Sequence, residues 1–142
     1  MRFLHTAIAL ALSFSAMLGC GTPNPRKPIS GKVTLKGVNL DEGTIDFLPI
    51  AGTNAGLPST TSGAVITQGI YDIAAESGLV PGKYRVLISS GDGRTPDNED
   101  EMPGPSGNFV SKDRIPADYN VNSKVEIEVK EEGDNVFDFI IP

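Results

Sequence analysis

Nucleophiles, general bases and metal ligands come from few residue types, and this 142-residue chain holds one histidine, His5, and one cysteine, Cys20. Beyond Cys20, no Ser-His-Asp triad, Cys-His pair or ordinary zinc or copper ligand set can be assembled. No Gly-x-Ser-x-Gly elbow, Walker loop or dinucleotide fingerprint is present. Ser111-Lys112 and Ser123-Lys124 are sequence neighbours, and neighbours on a strand face opposite ways, so neither makes a Ser-Lys dyad. Glu126 and Glu128 fall on one strand face at about 7 Å, within glycosidase range. They belong to the solvent side of a regular strand, however, which offers no pocket in which a general acid could be made. The last candidate is a run of carboxylates, Asp92, Asp97, Glu99, Asp100 and Glu101. Hard cations such as calcium take clustered carboxylates and carbonyls, but the spacing is not that of an EF-hand loop. The stretch 91–113 therefore reads first as a solvated acidic loop. No catalytic residue, metal site or cofactor is expected, and the chain does not read as an enzyme.

What Cys20 can do depends on what precedes it. A short positive start, Met-Arg-Phe-Leu-His, leads into an apolar run over 7–18 broken only by Ser13 and Ser15. Twelve helical residues cover about 18 Å against a hydrocarbon core of about 30 Å, too little for a stable span. The pattern is that of a secretory signal. Met17-Leu18-Gly19-Cys20 resembles the lipobox of bacterial lipoproteins, with methionine where leucine is usual. The resemblance implies that the Cys20 thiol is alkylated with diacylglycerol and that the chain is cut before it, anchoring the protein to a membrane of the bacterial envelope. Two acyl chains are what stable anchoring requires, and a lone cysteine has no internal disulfide partner. Gly21 is not the aspartate that, in enteric lipoproteins, accompanies inner-membrane retention. The organisation expected is a signal peptide at 1–19, a lipidated, proline-rich tether at 20–28 and one domain at 29–142.

Charge narrows the partners. Twelve basic residues face 18 acidic ones, a net charge of −6, and losing Arg2 with the leader makes the remainder one charge more negative. Such a surface repels polyphosphate, so nucleic acid is not expected. Sixteen glycines, 11 prolines and no tryptophan favour short strands joined by turns.

From Ile29 the apolar residues recur with period two. Ile29, Gly31, Val33 and Leu35 define one strand, and Ile45 and Phe47 a second. The segments 64–67 and 70–73 flank a tight Gln68-Gly69 turn. Tyr84, Val86 and Ile88 define a fifth strand; Val125, Ile127 and Val129 a sixth; and Phe137, Phe139 and Ile141 a seventh. No window shows helical periodicity. A seven-stranded antiparallel Greek-key sandwich is the economical solution.

The residues also carry a family resemblance. Gly31-Lys-Val-Thr-Leu-Lys-Gly37, Gly69-Ile-Tyr-Asp-Ile73 and Gly78-Leu-Val-Pro-Gly-Lys-Tyr-Arg-Val86 resemble the carboxypeptidase regulatory-like domains, transthyretin-like sandwiches found in bacterial surface lipoproteins. Ile115-Pro-Ala-Asp-Tyr-Asn120 and Asn135-Val-Phe-Asp-Phe139 are similar to the end of the short members. The resemblance spans 29–142 and implies a transthyretin-like fold and no catalysis, because such domains only accompany the catalytic one in metallocarboxypeptidases. Leu79-x-Pro-Gly82-x-Tyr84 resembles the tyrosine corner of Greek-key sandwiches, which assigns Tyr84, Gly82, Phe137 and Phe139 structural roles. The function expected is a non-catalytic, lipid-anchored envelope module for structure or protein contact, on the periplasmic or outer surface. The alternative is a calcium- or carbohydrate-binding surface module that uses loops at one end of the sandwich.

Overall fold

A computed structural model of the chain describes residues 24–52, 60–92 and 112–142. Period-two alternation becomes eight strands: β1 (Ile29–Leu35), β2 (Val38–Asn39), β3 (Glu42–Pro49), β4 (Ser62–Thr67), β5 (Ile70–Ile73), β6 (Gly82–Ser89), β7 (Glu126–Val129) and β8 (Phe139–Ile141). Among the described residues there is no α-helix, only a single 3-10 turn at Ala117–Tyr119. The described residues are all-β apart from that turn. The strands form one curled sheet, a half-barrel, in the order β2-β1-β5-β4-β3-β6-β7, with β8 added beside β1.

The alternation is legible residue by residue. In β3, Ile45 and Phe47 are buried while Thr44, Asp46 and Leu48 are exposed; in β6, Tyr84, Val86 and Ile88 are buried. Together with Ile29, Val33, Ile66, Tyr71, Val129, Phe139 and Ile141 these side chains make one continuous core inside the curl. Each large apolar side chain so buried contributes about 1.5–3 kcal/mol. Tyr71 sits between two phenylalanines, its ring centroid 6.0 Å from Phe47 and 6.3 Å from Phe139, both pairs tilted. Lys36 and Gly37 turn the chain through positive φ, 51° and 81°, and bring back the two-residue β2, a strand not foreseen from the sequence.

One pairing departs from the antiparallel expectation. β8 runs parallel to β1, with Val33 opposite Phe139 and Leu35 opposite Ile141. The segment before it already lies along β1: Ser30 N donates to Asn135 O at 3.2 Å and Phe137 N donates to Ser30 O at 2.9 Å. The close approach needs a residue without a side chain, because a Cβ on Gly31 would stand 1.9 Å from the Phe137 carbonyl oxygen. That oxygen accepts a hydrogen bond from the Tyr71 hydroxyl at 2.7 Å. Burial, with the Asp138 carboxylate as a second cause, raises the Tyr71 phenol well above its ordinary pKa, so it remains the neutral donor.

The boundary expected at Ile29 also moves. Lys27 and Leu79 exchange both backbone hydrogen bonds, at 2.7 and 3.1 Å. Arg26 Nη1 donates to Gly78 O at 2.9 Å and Asn24 Nδ2 to Ala75 O at 3.0 Å. Residues 24–28 are thus sewn to the domain rather than free as tether, because Gly78 leaves room for the Lys27 carbonyl to pack closely.

Two alanine substitutions separate collision from strain. Gly31→Ala should cost about 3 kcal/mol, since the β1–β8 contact must open. Gly37→Ala has open space around it and only a positive φ to oppose, so about 1 kcal/mol is expected. Urea unfolding of the two variants measures both, and equal losses would contradict the packing described.

Candidate functional site

Among the described residues, the most developed polar site is a clamp formed where 90–92 meet 112–114. β6 ends at Ser89, and the chain leaves the sheet through 90–92 and re-enters through 112–114. Gly91 and Asp113 form an antiparallel bridge, and Asp92 N donates to Lys112 O at 2.9 Å. The Asp92 carboxylate accepts from Lys112 N at 3.1 Å. Asp113 is the inner carboxylate. It accepts from Ser90 N at 3.1 Å, from Ile115 N at 2.8 Å and from the Asn120 side-chain amide. The loop expected over 91–113 therefore has structured ends.

Arg114 fastens this stem to the rest of the sheet. Its backbone N–H donates to Ser90 O at 2.8 Å, and Nη2 lies 2.6 Å both from Asp41 Oδ1 and from Ser90 Oγ. The Ser90 hydroxyl, almost fully buried, donates to Glu42 O at 2.6 Å. One guanidinium thus joins the turn before β3, the end of β6 and the returning strand. The Arg114 guanidinium, with the Glu42 N–H beside it, holds the Asp41 carboxyl below the usual carboxylate range, and Asp41 in turn raises Arg114.

Chemically the clamp is a set of fastenings. Ser90 gives its proton to a carbonyl and its lone pair to a cation, and among the described residues its hydroxyl hydrogen-bonds to no base. The Asp92 and Asp113 carboxylates accept from backbone N–H groups. Among the described residues no group of three or more His, Cys, Asp or Glu side chains is placed to hold a metal ion.

A second feature is an open, polar cleft of about 530 Å³ lined by Arg85, Asp118, Val121, Asn122, Ser123 and Lys124. Arg85 stands 4.0 Å from Glu126, and with both side chains half-exposed that ion pair contributes little. Ser123 is buried and donates to Val86 O at 2.6 Å, so it supports the cleft wall rather than facing Lys124 as a dyad. Neither Arg114 with its partners nor this cleft was singled out from sequence. The only hint was Asp113-Arg114, the point where the acidic run gives way to a returning chain.

The residues singled out from sequence fall as follows. Tyr84 is fully buried and its hydroxyl donates to Val80 O, four residues upstream, at 2.9 Å. Gly82 opens β6 opposite Val129. Phe139 is buried, and Phe137 is half-buried with its carbonyl under Tyr71. Glu126 and Glu128 are exposed on β7. Of the acidic run, Asp92 belongs to the clamp; Asp97, Glu99, Asp100 and Glu101 lie outside the described residues, as do His5, Cys20 and Ser111. Comparison with known proteins yields no matching family model, no similar curated protein and no similar solved structure.

Two measurements test the geometry. Tyr84→Phe leaves the Val80 carbonyl without this donor in the core and should cost about 1–3 kcal/mol in urea unfolding. The Asp41–Arg114 contact has a sign in pH. Asp41 is depressed in the folded chain, so its stabilisation is present above the unfolded value near ~4 and is lost as pH falls through the folded value. Asp41→Asn should lower stability at neutral pH and converge with wild type in acid. A constant gap across the titration would exclude the ion pair as its cause.

Proposed function

We propose that the chain is a non-catalytic lipoprotein of the bacterial envelope, anchored through Cys20, whose β domain is a structural or protein-contact module. The observation that carries this reading is the placement of Cys20 at the end of the apolar run 7–18, directly after Met17-Leu18-Gly19. The polar groups of the described domain add support, because the clamp and the tyrosine corner use them for backbone hydrogen bonds rather than for reactive pairs. We further read the curled sheet as a Greek-key sandwich of the carboxypeptidase regulatory-like kind. Support for that is the strand β1, whose first half pairs β5 while its second pairs β2 and β8, and the Tyr84–Val80 hydrogen bond.

The polar cleft beside Arg85 favours a second reading, a surface module that binds a ligand such as a carbohydrate at one end of the sheet. It offers donors and acceptors, but its lining includes no aromatic platform on which a sugar ring would stack. For the calcium form of this reading, ordering a long acidic segment costs about 1–2 kcal/mol per residue, which opposes tight binding.

Fractionation tests the leading reading. Wild type should remain with membranes through high-salt and carbonate washes and carry a diacylglyceryl mass on Cys20; Cys20→Ala should lose both. A variant that still fractionates with membranes after its leader is removed would refute the anchor. Calorimetry on the mature domain, beside a variant with 94–110 replaced by a short Gly-Ser linker, separates the second reading. Micromolar calcium binding that vanishes with the loop would favour it over the passive module.

A further inference from the structure

We infer that the end of the domain formed by residues 24–27 and the turn at 74–78 lies against the headgroup layer of the anchoring membrane, and that the Arg114 clamp is held at the membrane-distal end. The inference rests on the lipid anchor at Cys20 and adds an orientation to it.

The argument is one of length. Only Gly21, Thr22 and Pro23 separate Cys20 from Asn24, the first described residue, which is hydrogen-bonded to the domain. At no more than about 3.3–3.6 Å per residue, four steps reach at most about 14 Å. The acyl chains begin at the edge of the hydrocarbon, and the headgroup region beyond it is about 5–8 Å deep on each side of a bilayer. What is left is less than the ~10 Å separation of two packed sheets. The docked segment cannot swing away without breaking its contacts, since the Lys27–Leu79 pair, Arg26 on Gly78 and Asn24 on Ala75 fix it successively.

Strand register then fixes which end faces away. Ile29 pairs with Ile73, Pro49 with Tyr84, and Gly82 with Val129, so these positions share the anchored end. Glu42 pairs with Thr67 and Thr44 with Ser89, which places them at the other. The eight residues of β6 connect the two ends across about 24 Å. The clamp of Asp41, Ser90, Asp113 and Arg114 therefore lies at the end remote from the lipid. Charge does not set this arrangement. Near the anchored end Arg26, Lys27, Lys83 and Lys130 are outnumbered by Asp72, Glu76, Glu128, Glu131, Glu132 and Asp134, so an anionic surface does not draw that end in. The covalent link sets the distance.

The test uses the lipidated protein in phosphatidylcholine vesicles doped with a headgroup-nitroxide lipid. Because the Cys20 thiol is alkylated, a second cysteine can be labelled uniquely. Glu76→Cys places a fluorophore on the anchored turn, and Val38→Cys places one on exposed β2 at the far end. Quenching several-fold stronger at position 76 than at position 38 is expected, and about twenty Gly-Ser residues inserted between Pro23 and Asn24, a coil of about 25 Å, should erase the difference. Equal quenching at both positions in a protein whose mass shows the lipid would overturn the orientation while leaving the anchor intact. An unmodified Cys20 by mass would overturn the anchor and the orientation together.

Discussion

The contact on which the sheet depends is the carbonyl of Phe137 pressed against the bare Cα of Gly31. Everything between β1 and β8 follows from it. Without a side chain at 31, the segment 135–137 hydrogen-bonds to Ser30, and β8 continues in parallel alongside Val33–Leu35. The Tyr71 hydroxyl reaches this carbonyl from β5, so three strands meet at one oxygen. Its ring lies between Phe47 and Phe139 in the core. A single tyrosine thus joins the apolar interior to the backbone pairing that completes the curl, and the burial that makes it a good core residue also keeps it protonated as a donor.

The polar clusters share a design. At the Tyr84 corner, in the Ser123–Val86 contact and at the Arg114 clamp, a side chain satisfies a backbone group that the strands leave unpaired. Buried backbone carbonyls and amides left unpaired cost about 1–3 kcal/mol each, and a curled sheet with long connections has many. Asn135 shows the same economy: its amide accepts from Lys130 N and donates to Lys130 O, closing the turn between β7 and β8 with one residue. In these clusters side-chain chemistry is spent on holding connections in place.

The strands were legible because their signal is local. Val125 to Val129 alternate so strictly with charged neighbours that a one-residue slip would bury two glutamates, and Tyr84 announced itself by the Pro-Gly two residues before it. The parallel course of β8 was not legible: Lys32 and Asp138, joined by a hydrogen bond, are 106 residues apart, and nothing in either segment names its partner. Nothing local to Asp41 and Glu42 names their places: Glu42 begins β3 and Asp41 is the partner of Arg114. The clamp escaped for the same reason, since a serine, an aspartate and an arginine from three stretches become a site only when pairing distant in sequence brings them together. Asn24 to Lys27 looked like tether because proline dominates locally, while the hydrogen bonds that hold them belong to Leu79 and Gly78.

The parallel pairing of the first and last strands also sets a schedule for the nascent polypeptide. β1 leaves the ribosome early and stays without one neighbour until residues 135–141 have been synthesised, Phe139 following its partner Val33 by 106 positions. Pairings of such long range form late, because the loop they close must be ordered first. A polymer whose sheet cannot be completed until so distant a segment arrives remains threadable until then. For the exported lipoprotein proposed above, this built-in delay favours passage through a translocation pore before the fold closes.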